Sequence, residues 1–516
     1  MKNEVLRDAL SQISDRHIAE AAPKRHRLPA WGVLAASLAL MLAVYAVVAG
    51  LSGNTQSSIS MQNPNPTQNA TSPTEKQEYP VPPSLLGSDE IFTPKVVQAQ
   101  NLLASPQYPE LTPYSDNFEQ WQLWREDYRQ LHSAPAGYAD SLTDFFARSI
   151  PEFLSEAQTE NTAYSPVSLY MALSMLAQTA GGETQQEILT LLGADSAEAL
   201  AKQAGLVWRN HYWNDGATTS VFANSLWLDD MFQFRESTVK TIAEDLYASV
   251  YRGALETPEM NIALKDWLNT HTGGLLEEAI YQLEGMDERT ALVLASAIFY
   301  RCKWNDEFIE SRNTQGIFHS PSGDESATYM NATLMYGPYA WGEDFSATCL
   351  SLEDDSRMWL ILPDEGYTPQ DILKNGNALD MILNWDIGYY NDSNTYPNQK
   401  GIIVNLSLPK FDVTGNHDLM PGLERLGITL ASDPLQADFS GIDPANQQLF
   451  LGRANQGTRV TIDEEGVYAA SYTVMLECGS GMPPEEEVDF VLDRPFLFVV
   501  ESPDGVPMFT GVVNTP

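Results

Sequence analysis

Histidine and cysteine, the side chains most often used for catalysis and metal binding, show no grouping in this chain. The seven histidines (His17, His26, His132, His211, His271, His319, His417) are scattered without ligand spacing. Cys302 and Cys349 sit in apolar, strand-like surroundings, where a free thiol behaves as a small hydrophobe, and Cys478 stands alone. An odd count without close spacing argues against a disulfide framework or a metal site. A hydrolase nucleophile elbow is also missing. The chain reads as no enzyme, and neither a metal nor another cofactor is expected.

The segment patterned for an event is Thr461-Ile-Asp-Glu-Glu-Gly-Val-Tyr-Ala-Ala-Ser-Tyr-Thr473. A β-forming run ends at Gly466 and gives way to small residues. Polar, Gly- and Pro-rich sequence follows, until a second apolar strand begins at Val491-Leu-Asp-Arg-Pro-Phe-Leu-Phe498. Successive side chains of a strand point to opposite faces, so a segment destined for the middle of a sheet needs one small, uncharged set. Val467, Ala469, Ser471 and Thr473 form such a set, whereas Tyr468, Ala470, Tyr472 and Val474 tolerate bulk and could face outward. An ordinary strand-to-loop junction is the alternative. The chemistry that suits the pattern is strand addition, driven by backbone hydrogen bonds and buried side chains rather than by a catalytic group.

The elements that would position this segment form one continuous globular-looking block within 516 residues. Strand-like runs at Ser220–Leu228, Ala291–Tyr300, Met358–Leu362, Gly401–Leu408 and Phe496–Glu501 interleave with helix-like runs at Pro166–Ala177, Glu183–Leu192 and Asn261–Thr270. That mixture predicts an α+β domain with a large core. A formal net charge of −40 argues against nucleic acid as a partner, since phosphate binding needs a cationic face. The same charge would steer basic partners.

Further segments occur in a telling order. Asn161-Thr-Ala-Tyr-Ser-Pro-Val-Ser-Leu-Tyr-Met-Ala-Leu-Ser-Met175 leads into Thr179-Ala-Gly-Gly-Glu-Thr-Gln-Gln-Glu-Ile188. Ala223-Asn-Ser-Leu-Trp-Leu228, Trp267-Leu-Asn-Thr-His-Thr-Gly273 and Leu292-Val-Leu-Ala-Ser-Ala-Ile-Phe-Tyr-Arg-Cys-Lys-Trp304 come next. Val404-Asn-Leu-Ser-Leu-Pro-Lys-Phe411, Leu423-Glu-Arg-Leu-Gly-Ile428, Ala437-Asp-Phe-Ser-Gly441 and Met508-Phe-Thr-Gly-Val-Val-Asn514 complete the series. From Tyr138 to Pro516 the chain resembles the serpins, suicide inhibitors of serine or cysteine proteases, and in particular a bacterial, membrane-anchored or secreted member.

The resemblance implies a fold of helices packed on a large central sheet, with further sheets and an exposed reactive-centre loop. It also implies a mechanism. A target serine protease attacks the loop and forms its acyl-enzyme; the cleaved loop then inserts as a new central strand and distorts the protease. The hinge would comprise Glu464, Glu465, Gly466, Val467, Ala469, Ala470, Ser471 and Thr473. Glu464 would pair with Lys410, Trp304 would pack near that point, and Ser165 and Ser168 would lie where the strands part; Ser165 could equally be only a helix cap before Pro166. Two positions depart from the family pattern: Ser296 stands where Asn is usual and Gln456 where His is usual. Those residues usually hydrogen-bond to each other, so a Ser296–Gln456 bond is expected in their place.

The scissile bond falls at Ser480–Gly481 by the same resemblance, with Cys478–Gly479 and Met482–Pro483 as alternatives if the register slides. No Arg or Lys lies between Gly466 and Asp493, which disfavours a trypsin-like target and suits an elastase-like or subtilisin-like pocket. The alternative function is a non-inhibitory serpin-fold protein that serves as a surface binding module. An adhesin or glycan-binding protein would leave the hinge without a purpose.

Residues 28–51 are apolar, long enough to span a bilayer core, and preceded by Lys24, Arg25 and Arg27. They read as a transmembrane signal anchor with residues 1–27 cytoplasmic, residues 52–90 a disordered Ser/Asn/Gln/Pro linker, and the serpin-like domain (138–516) extracellular. The competing reading is secretion after signal cleavage near Val47-Val-Ala49. Residues 91–137 would be an extension, packed on the domain through Trp121 and Trp124 or continuing the stalk. The expected oligomeric state is a monomer.

Overall fold

Among the described residues, seventeen strands form three sheets. The computed structural model describes residues 102–516 apart from 107, 111, 114–117, 136, 216–217, 275, 277–279, 281–284, 384–397, 446–448, 468–483 and 485. The segments read as cytoplasmic, membrane-spanning and linker therefore lie outside the described residues. So do Ala469, Ala470, Ser471, Thr473, Cys478, Gly479, Ser480, Gly481 and Met482. Among the described residues no helix is long and apolar enough to cross a membrane.

The first sheet, with strands numbered along the chain, runs in the order Leu102–Ala104 (β1), Ala248–Gly253 (β5), Thr219–Asp229 (β4), Leu292–Lys303 (β6) and Gly466–Val467 (β14). Trp213–Asn214 (β3) is hairpinned onto β4. Every residue of β4 is buried, as a Val/Phe/Leu/Trp-rich strand covered on both faces must be. One face of β6 (Ile298, Tyr300, Cys302) joins the main core. The other (Val293, Ala295, Ala297) meets a smaller cluster with Trp227, Tyr251 and Trp267, the last carried by the covering helix Pro258–His271.

The second sheet is ordered Glu487–Val491 (β15), Gln399–Pro409 (β11), Gly323–Trp341 (β8), Phe345–Ser351 (β9), Arg357–Pro363 (β10), Phe496–Glu501 (β16), Pro507–Val513 (β17) and Thr162–Tyr164 (β2). Thr314–Ser320 (β7) adds to β8. Behind it lies the helix Pro166–Thr179, almost wholly buried, started by the Ser165 side chain and by Pro166 in its first turn.

The third sheet is a pair, Phe411–Asp418 (β12) and Asn455–Ile462 (β13). It is pressed against β2 so closely that a Cβ on Gly415 would stand 1.8 Å from the Ala163 carbonyl oxygen; only glycine fits there. The architecture is the α+β arrangement expected, with the helix Gly182–Leu191 and the strands at β4, β6, β10, β11 and β16 where the periodicities place them.

Candidate functional site

The hinge begins where β13 ends. Asp463 to Gly466 reverse the chain: the Asp463 carboxylate accepts hydrogen bonds from the Glu465 N–H (2.9 Å) and the Gly466 N–H (3.2 Å). The reversed backbone then pairs antiparallel with the C-terminal end of β6, Gly466 opposite Lys303 and Val467 opposite Cys302. Gly466 is required at this approach, since a Cβ would lie 2.4 Å from the Cys302 carbonyl oxygen and 2.7 Å from Lys303 Cα. Val467 is buried in the main core.

Trp304, which is buried, clasps the turn. Its indole N–H donates to the Asp463 carbonyl (2.9 Å), and its backbone N–H donates to the Glu465 carbonyl (3.1 Å). The Phe308 N–H reaches the Glu464 carbonyl at 2.9 Å, and the Phe308 ring packs edge-on to Trp304. The acidic side chains of the turn diverge. Glu464 pairs with Lys410 at 2.6 Å and accepts from Asn313 Nδ2 at 2.5 Å. Partial burial opposes its ionisation, but those two partners outweigh burial and hold the carboxyl below its usual range. Among the described residues Glu465 has no such ion pair or side-chain hydrogen bond; burial, and then the charge of Asp463, push its carboxyl up against the opposing charge of Lys303.

Below the hinge, β6 and β13 are not joined by any hydrogen-bonded ladder among the described residues: β6 pairs with β4 and β14, β13 with β12. A narrow cleft lies between them, lined by Ser296, Ala297 and Ile298 of β6 and by Gln456, Gly457 and Thr458 of β13, with Ser168 and Phe509 at its floor. The expected Ser296–Gln456 hydrogen bond is absent. Gln456 is spent on Ser165, the residue that follows β2, its Oε1 accepting from the Ser165 N–H and its Nε2 donating to the Ser165 carbonyl, both at 2.9 Å. One side-chain amide thus replaces a rung of backbone ladder, and Ser296 Oγ is left buried with no hydrogen-bond partner among the described residues. Ser165 serves as helix cap and as tie: its hydroxyl lies 2.8 Å from the Met508 carbonyl and 2.9 Å from Ser168 Oγ.

Two residues of this region gave no sequence signal. Asn313 reaches Glu464 from a 3-10 turn well before it in the chain. His417, dismissed above as scattered, sits opposite Gln456 in the β12–β13 register, with Nε2 2.9 Å from the Ala163 carbonyl. Burial lowers its pKa. Only the strand register brings it there. The described residues contain no cluster of metal-ligating side chains.

The family model described as serpin (serine protease inhibitor) matches residues 140–516. Plasminogen activator inhibitor 1 of Bos taurus is 26% identical over 411 residues, covering 75% of this chain and 94% of that protein. Serpin-Z2B of Triticum aestivum is 26% identical over 382 residues, covering 70% and 91%. The native state of the thermophilic serpin tengpin superposes with a TM-score of 0.63 at 22% identity, covering 81% of this chain and all of that one. With most of its length matched to one family model, and the fold matched in space, this chain belongs to the serpin family.

Proposed function

We propose that this chain is a suicide inhibitor that traps serine proteases of elastase-like or subtilisin-like specificity by inserting its cleaved loop between β6 and β13. The observation that carries the reading is the seated hinge above an open slot: β14 already occupies the first rung on β6, and no ladder closes the gap below it. In the same register Ala469, Ser471 and Thr473 would fall opposite Tyr300, Ile298 and Ser296. That is the small-residue set, on the face that Val467 shares with the core. Thr473 would then bring a hydroxyl to the unpartnered Ser296 Oγ. The protease ends as a covalent acyl complex with a distorted active site, and no turnover follows. The apolar segment at residues 28–51 would hold the inhibitor, as a monomer, on the outer side of a membrane.

The non-inhibitory reading draws on Glu477, which this register sets on the core side opposite Leu292, where an unpaired carboxylate is costly. Insertion that stalled there would leave a loop cleaved as substrate. The two readings separate when the purified full chain is mixed with a pancreatic elastase or a subtilisin and run on a denaturing gel. A covalent species of summed mass, less a C-terminal peptide, supports inhibition and identifies the scissile bond by mass. Clean loop cleavage with undiminished protease activity would defeat it.

A further inference from the structure

We infer that Ala297 and Gly457, with Thr272 and Leu276 beside them, form a seat for the Tyr472 ring in the inserted loop, and that this seat selects the register in which insertion locks. The inference rests on the insertion proposed above and names contacts on the face of the sheet away from the main core.

Two pairings observed at the hinge set the register from opposite sides. Val467 faces Cys302 in the antiparallel ladder with β6. The Asp463 N–H donates to the Gly466 carbonyl at 3.2 Å, so that Glu464 and Glu465 form the end of a hairpin with β13. Carried down the loop at about 3.4 Å per residue, both pairings bring Tyr472 to the same place, between Ala297 of β6 and Gly457 of β13.

Side chains alternate, so Tyr472 shares its face with Tyr468 and Ala470, opposite to the small set that meets the core. On that face of β6 the sizes run counter to those of the loop. Phe299, whose ring occupies the space a Gly273 Cβ would need, stands opposite Ala470, and Ala297 stands opposite Tyr472. Arg301, opposite Tyr468, has its Nε buried with no hydrogen-bond partner among the described residues, and a tyrosine ring would cover that cation. On the β13 side Gly457 leaves room: an added Cβ would come within 4 Å of Leu276 Cδ1 alone, at 3.3 Å. An aromatic ring laid across a strand glycine shields its backbone from water.

Part of the seat is in place. Thr272 and Leu276, at and just beyond the end of the helix Pro258–His271, line the cleft together with Ala297 and Gly457. The cleft encloses about 20 Å³, too little for a phenol ring, so the ring enters only as β6 and β13 part. A slip of two residues towards the hinge would set the ring against Phe299 and Arg459, which leave no such room, and the fit therefore favours one register.

The full chain, its Tyr472→Ala and Ala297→Tyr variants and the double variant carrying both changes would be cut with limiting subtilisin until intact mass shows one cleavage between Val474 and Pro483. Unfolding temperatures of the uncut and cut forms would then be compared. Cutting should raise the unfolding temperature of wild type, because an inserted strand adds a ladder of bonds. Tyr472→Ala should lower that of the cut form by about 4 °C or more and move that of the uncut form by about 1 °C or less. Ala297→Tyr should also lower the cut form, and the double variant, which exchanges ring and methyl across the strands, should recover about half of the loss or more. A cut Tyr472→Ala form within about 1 °C of cut wild type would overturn the seat, even if Ala297→Tyr failed to fold. A double variant no better than the worse single one would overturn it too. Cut wild type that melts no higher than the uncut chain would refute insertion itself, and the seat with it. If cut wild type melts higher but traps no protease, the inhibitory reading fails while the Tyr472→Ala comparison still decides the seat.

Discussion

Gly466→Ala is the sharpest test of the hinge geometry. In the observed pairing an added Cβ would stand 2.4 Å from the Cys302 carbonyl oxygen and 2.7 Å from Lys303 Cα, both backbone atoms of β6 that have no rotamer to retreat into. Overpacking of this kind costs about 1–3 kcal/mol. An alanine would unseat the resting pair, and re-forming it during entry then costs that amount; at about 1.36 kcal/mol per decade, entry of the loop slows by roughly 5- to 160-fold. Entry competes with deacylation, so slower entry releases more protease and consumes more inhibitor as substrate. The assay is the number of inhibitor molecules used per protease trapped, and its excess over one should rise in proportion to the slowing. Gly401→Ala is the control, because nothing lies within 4 Å of the Cβ it would add. An excess for Gly466→Ala indistinguishable from that of wild type would refute the claim that insertion passes through the Gly466–Lys303 rung.

Gln456→Ala should lower unfolding free energy in urea by about 1–3 kcal/mol for each Ser165 backbone group it orphans; a loss under 0.5 kcal/mol would show water replacing the amide. Acidification should undock the extension. Burial lowers the His132 pKa to about 4, with the neighbouring His211 adding to the effect and Asp504 opposing it, so the docked form excludes the proton. Docking is then complete above about pH 6.5 and is lost as pH falls towards 4, by up to about 3 kcal/mol. Hydrogen exchange of residues 118–131 would report it, and equal protection at pH 7 and 4.5 would contradict it. Ser480→Arg should create measurable trapping of trypsin, whose pocket requires a cation; cleavage elsewhere in the loop would reassign the bond.

How much of this was legible in the sequence depends on the range of the interaction. The alternating set Val467, Ala469, Ser471 and Thr473 is a local pattern, of which only Val467 lies among the described residues, and the Ser165-Pro166 helix start is equally local. The Lys410–Glu464 contact came from family resemblance, not from spacing, since the two residues sit just outside the neighbouring ends of β12 and β13, which only the strand register brings together. The expected Ser296–Gln456 bond failed for a reason no pattern records. An amide that can bridge both Ser165 backbone groups gains two buried hydrogen bonds, and one hydroxyl across the slot offers less. Asn313 and His417 were invisible because their contacts are long-range, the one between two turns and the other set by the β12–β13 register. The aromatic run around Trp124 hinted at packing, but not that Trp213 and Asp215 would receive it.

The seated pair Gly466–Val467 gives the molecule a seed. Bringing distant segments into register is the entropically expensive part of making a sheet, and its cost is charged mainly to the first contact. Here that contact is already formed, and the Asp463 turn sets the heading, so the proposed insertion would run down β6 towards Leu292. On the proposed mechanism, capture would be a matter of elongation rung by rung rather than of search. If the chain traps proteases as proposed, its race against deacylation would start with the first step already taken.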